Sequence, residues 1–174
     1  MRIEIKELEK LFNKKVKRNT NCLGFDTASR TGWCRAVTGR KYVDLDYGFI
    51  DIKTTNREYK YRQFINFVTT MVSESDKVVI EESFYGRNVK SFQMLSRMGG
   101  FVFMACHQSG VKEYDFVLAT TARKYLGFKG NLKKEEFHRQ LKAVIDLGFD
   151  DEDIIDAFAL ALVGIFKEPK QEKL

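Results

Sequence analysis

The chain has 174 residues, the size of one compact domain with a real core, and its 30 Lys and Arg outnumber 24 Asp and Glu. The resulting net charge of +6 favours a polyanionic partner such as nucleic acid. No apolar run approaches the roughly 20 residues that cross a bilayer, and Glu4, Glu7 and Glu9 do not suit a signal or transit peptide.

The first 20 residues stand apart. Leu8, Leu11 and Phe12 follow a helical pattern, and Lys14, Lys15, Lys17 and Arg18 follow them. An appended helix or a basic arm is expected there, either solvated or touching phosphate. From Cys22 the pattern becomes that of a sheet: Cys22 to Asp26, Gly32 to Val37 and Tyr42 to Ile52 are short strand-like runs with short links, as in an antiparallel meander. In the third run Val43, Leu45, Tyr47 and Phe49 alternate, then Ile50 and Ile52 take the opposite parity after Gly48, which predicts a bulge.

Tyr61, Phe64, Ile65, Val68, Met71 and Val72 recur at helical spacing, and Lys77 to Ile80 reads as a buried strand. A long helix over Asn88 to Gln108 follows, its Met94, Met98 and Phe101 supplying apolar surface beyond one core stripe, while Gly99 and Gly100 permit close approach. That face permits contact between two copies of the chain, unless the helix is simply buried in its own subunit. Val111 to Leu118 is a further strand. Helices are expected over Thr120 to Leu126, Leu132 to Leu147 and Asp151 to Phe166. This order predicts an α/β fold with one central mixed five-stranded sheet flanked by helices. The domain spans residues 21–168, with a tail over 169–174.

Three widely spaced cysteines (Cys22, Cys34, Cys106) without a CxxC pair suggest a reduced, intracellular protein, in a cytoplasm, a host cytoplasm or an organelle. With only His107 and His138 available, neither a zinc site nor a Ser-His-Asp triad is signalled, so carboxylates would carry any catalysis. Asp26 ends an apolar strand before the small turn Thr27-Ala28-Ser29, as a rigidly placed ligand or as a turn-forming Asp. Glu81 and Glu82 follow the buried run Val78-Val79-Ile80, and periodicity does not choose between them. Asp150, Asp151 and Glu152 suit a helix N-terminus. Asp156 lies past the first turn among Ile155, Ala157 and Phe158, and shares a helix face with Asp153. Anions in such a place need cations nearby, and oxygen-only ligands suit Mg2+ or Mn2+.

Three segments in this order resemble a RuvC-type Holliday junction resolvase of the ribonuclease H-like superfamily: Leu23-Gly24-Phe25-Asp26-Thr27-Ala28-Ser29-Arg30-Thr31-Gly32-Trp33, Val79-Ile80-Glu81-Glu82-Ser83-Phe84, and Asp153-Ile154-Ile155-Asp156-Ala157-Phe158-Ala159-Leu160-Ala161. The resemblance covers about residues 22–164. It implies a homodimeric endonuclease that cuts four-way DNA junctions with two metal ions per active site, held by Asp26, Glu81, Asp153 and Asp156, and so favours Glu81 over Glu82. It also implies a catalytic lysine at Lys133 or Lys134 and an aromatic at Phe84 that stacks on bases. Arg87, Lys90, Arg123, Lys124, Lys129 and Arg139 are further candidates for phosphate contact. The chain departs from the family in having Thr27 and Ala28 where Pro and Gly are common, and in its N-terminal extension. A nuclease for other branched DNA, flaps or RNA-DNA hybrids would use the same acids; a non-catalytic junction-binding protein would not need them.

Overall fold

The computed structural model describes residues 1–83 and 88–167. Its centre is one mixed sheet of six strands rather than five, in the order β1-β4-β3-β2-β5-β6. Strands β2 (Thr20–Asp26), β3 (Arg30–Thr38) and β4 (Tyr42–Asp51) form the expected antiparallel meander. β5 (Lys77–Glu81) runs parallel to β2, and β6 (Glu113–Val117) runs parallel to β5. The sixth strand, β1 (Arg2–Glu4), comes from the N-terminal segment and pairs antiparallel with β4.

That segment continues as α1 (Ile5–Phe12) and ends at Asn13, whose left-handed backbone suits an asparagine. Ile3, Ile5, Leu8 and Phe12 are buried, so residues 2–12 pack with the main core. The four cations that follow α1 have partners within the fold. Lys15 and Arg18 pair with Glu9, Lys17 pairs with Glu113, and Lys14 lies 4.0 Å from the centre of the Tyr125 ring.

Helices cover both faces. On one side α2 (Arg57–Val72) and α3 (Val89–Gln108) pack over Leu23, Phe25, Val78 and Ile80; their N-termini are capped by Asn56 and Asn88. On the other lie α4 (Ala119–Tyr125), α5 (Lys134–Val144) and α6 (Glu152–Ile165). Met98 is 1% exposed, inside its own subunit, so the expected use of this residue at an interface is corrected: its position on α3 faces the sheet. Phe101 packs on Tyr61, with ring centres 5.2 Å apart.

The predicted bulge at Gly48 is absent. The register between β3 and β4 runs unbroken from Thr38↔Val43 to Arg30↔Asp51, with Gly48 opposite Trp33. The change of parity has another cause. Val43, Leu45 and Tyr47 belong to the core on the α6 side, whereas Ile50 and Ile52 pack with the core on the α2 side, so a regular strand passes from one covered face to the other.

Helix α6 is apolar nearly all round because it lies against the middle of the sheet. Contact there is backbone-close: a Cβ on Gly24 would fall 2.3 Å from the Ala157 carbonyl oxygen, and one on Gly32 would fall 2.1 Å from that of Asp153. Glycine at these two positions lets the first turns of α6 settle over the ends of β2 and β3. Among the described residues no helix is long and apolar enough to cross a membrane. The three cysteines are free and buried, and burial pushes the Cys22 thiol up to about 12.

Candidate active site

Strand parity selects the acids that meet. Phe25 pairs with Ile80 in the β2–β5 ladder, and both side chains point to the α2/α3 core. The next residues, Asp26 and Glu81, therefore point to the opposite face, beneath α6. Glu82 is exposed, which separates the two glutamates that periodicity left equivalent. Asp26 is 6% exposed and hydrogen-bonded to Glu81. Burial, that hydrogen bond and the neighbouring charges of Glu81 and Asp156 all raise its carboxyl well above the usual range, against an opposing pull from Lys134.

Asp156 contributes from α6. Burial alone would raise its carboxyl, but hydrogen bonds from His138 and Lys134 outweigh it and hold it low. Lys134 Nζ lies 2.8 Å from Asp156 Oδ2 and 3.7 Å from Asp153 Oδ1. Its ammonium remains charged beyond the ordinary range, because these acids and Asp26 overcome the cost of burial. Lys133, in contrast, is exposed at the N-cap of α5. One turn after Lys134, His138 is 4% exposed, with Nε2 2.9 Å from Asp156 Oδ1.

Asp153 turns partly aside. Arg30, from the start of β3, bridges Asp151 and Asp153 and stacks 3.6 Å from the centre of the Phe49 ring. The hydrogen bond from Arg30 is the main reason Asp151 titrates low. Among the described residues, no three Asp, Glu, His or Cys side chains are gathered tightly enough to hold an ion as they stand. The four acids thus share one end of the sheet without closing a chelate as they stand, with Asp26 paired to Glu81 and with Lys134 and Arg30 drawing on the α6 carboxylates. The donors nonetheless suit a hard divalent ion. All are carboxylate oxygens, and Asp26 is a buried acid whose carboxyl is raised by burial and by neighbouring acids despite the pull of Lys134.

The acids border a cleft of about 510 Å³ lined by Asp26, Thr27, Glu81, Ser83, Leu95 and Thr120. Its lining takes in Ser83; Phe84 and Arg87 lie outside the described residues. The other expected DNA contacts scatter. Lys90, Lys124 and Lys129 are exposed. Arg139 is exposed but paired with Glu136. Arg123 is half-buried, donating from Nη1 to the Leu132 carbonyl at 2.7 Å with its guanidinium over Phe137, so part of its donor set is used within the fold. Arg30 and His138 were missed as site residues. The (i, i+4) spacing of Lys134 and His138 is the one sequence signal that could have found the latter.

Known proteins resemble this chain in sequence and in fold. The chain is 27% identical over 141 residues to a crossover junction endodeoxyribonuclease RuvC of Chlamydia muridarum, covering 76% of this chain and 82% of the relative. The fold is similar to that of Thermus thermophilus RuvC, with a TM-score of 0.67 at 18% identity over 84% of this chain and 98% of that one. It is also similar to T. thermophilus RuvC in complex with Holliday junction substrate, with a TM-score of 0.63 at 16% identity over 84% of this chain and 98% of that one. The family model for crossover junction endodeoxyribonuclease RuvC matches residues 22–164, from the start of the apolar run in β2 to the end of α6, and on that match the chain belongs to the RuvC family.

Proposed function

We propose that the protein is a metal-dependent DNA endonuclease that resolves four-way junctions by paired nicks from a homodimer. The observation that carries this reading is the Asp26–Glu81 carboxyl pair at the ends of adjacent parallel strands, with Asp156 beside it and an open cleft in front. Asp26, Glu81, Asp153 and Asp156 would hold two Mg2+ or Mn2+ ions. Such ions supply activation of the attacking water and stabilisation of the leaving oxygen in an in-line displacement at phosphorus. Asp26 must release its proton for this, and Arg30 must yield Asp153. Lys134 remains as the cation facing the entering phosphate, while His138 holds Asp156 in place.

The domain that does this spans residues 21–168, with the N-terminal segment as an accessory strand and helix. A dimer surface is proposed on the α3/β6 side, where Met104, Tyr114 and Phe116 are exposed. Paired cutting by two identical sites matches a substrate of approximate twofold symmetry. The test is cleavage of matched four-way, three-way, flap, duplex and RNA-DNA hybrid substrates with Mg2+ and with chelator. Symmetrical nicks in opposing strands of the four-way junction, lost on chelation, are expected. Preferential cutting of flaps or hybrids would move the reading to another nuclease of this fold, and binding without cutting would make the protein a junction-binding module.

A further inference from the structure

A second groove, of about 490 Å³, lies between the first turns of α2 and α3, and its charged lining is all basic: Arg57, Lys60, Lys90 and Arg97, beside Tyr61. Elsewhere on the surface many cations are neutralised nearby. Arg18 meets Glu9, Arg139 meets Glu136 and Lys142 meets Asp150. None of the four groove cations has an acidic partner among the described residues. Four like charges around one hollow repel each other, and an anion bound among them relieves that repulsion.

Lys90, Met94 and Arg97 occupy one face of α3, at helical spacing. Phe92, Leu95, Ser96 and Gly99 occupy the next face and border the hollows that contain Glu81 and Glu82. Helix α3 is thus a wall with the carboxylate cleft on one side and the cationic groove on the other. A helix with its side chains is about 10–12 Å wide, which at about 3.4 Å of rise per nucleotide corresponds to roughly three nucleotides of one strand.

We propose that this groove is a second phosphate-binding surface, which holds the sugar-phosphate backbone of a DNA arm a few nucleotides from the site of cutting. The inference rests on the nuclease reading above and adds to it a backbone contact remote from the acids. Tyr61, braced by Phe101, forms a side of the groove, and no base edge needs to be read there. The contact is therefore independent of sequence and sensitive to salt.

The test is binding of the full chain to a four-way junction in chelator, followed by anisotropy across a range of salt concentrations. The Lys60→Gln/Arg97→Gln and Arg57→Gln/Lys90→Gln variants should each lower the slope of log affinity against log salt by about 2, since each phosphate contact contributes about 0.9. Arg62→Gln, which removes an exposed cation of α2 outside the groove, should leave the slope unchanged. Wild-type slopes in both double variants would overturn the proposal, as would an equal loss per charge in Arg62→Gln. If wild-type protein binds and cuts the junction in those cases, the nuclease reading stands and only the groove is lost. Failure of wild-type protein to bind junctions at all would overturn both.

Discussion

Asp26→Asn should abolish cleavage and at the same time make the metal-free protein more stable near neutral pH. The first effect follows from removing a carboxylate from the proposed metal site, where bound metal would contribute several kcal/mol to the transition state, so a loss of roughly a thousandfold or more is expected in single-turnover assays. The second follows from linkage. The Asp26 carboxyl in the folded chain is held well above its unfolded value. Its favourable contribution is complete below the unfolded pKa and is lost as pH rises through the folded one. Wild-type protein in chelator should therefore melt at lower temperature as pH rises through that window. Asn cannot ionise, so the variant should lose this component of the pH dependence and have the higher Tm at pH 7. A destabilised variant with flattened activity and binding would instead give Asp26 a purely structural role.

Lys134→Gln should lower kcat by about 10²- to 10³-fold, the usual cost of removing one preorganised electrostatic donor from a reacting centre. Its ammonium is 2.8 Å from Asp156, within reach of Asp153, and is the cation closest to the acids from α5. Because those acids keep it charged beyond the ordinary lysine range, loss of rate at low pH should reflect the carboxyls and not this group. Lys133→Gln is the internal comparison. Lys133 is exposed and should change kcat little, whereas equal losses in both variants would reassign the effect to the general charge of the start of α5.

Much of this site was legible in the residues, for identifiable reasons. The spacing of Asp153 and Asp156 survives folding because a helix converts a separation of three into a shared face. The placement of Asp26 survives because a strand end is a fixed point. The choice of Glu81 was not legible from pattern alone: Val78, Val79 and Ile80 are all fully buried, so the run carries no parity, and the face is set by the pairing of Phe25 with Ile80. Arg30 reaches Asp151 and Asp153 across more than 120 positions of sequence, a contact with no local trace. His138 looked like an isolated histidine until α5 brought it to Asp156. The parity switch after Gly48 was misread because a strand covered on different faces along its length gives the same pattern as a bulge. The sixth strand went unseen because three residues are too few to show a period.

The claim that these carboxylates form one metal centre is tested most directly by calorimetric titration of Mn2+ into the wild type and Asp26→Asn, in two buffers that differ in ionisation enthalpy. Wild-type protein should bind Mn2+ saturably and release protons as it does so, because a carboxyl held protonated by burial must ionise to become a ligand. In Asp26→Asn both the affinity and the proton release should fall sharply. Equal affinity and equal proton release in the two proteins would contradict the account.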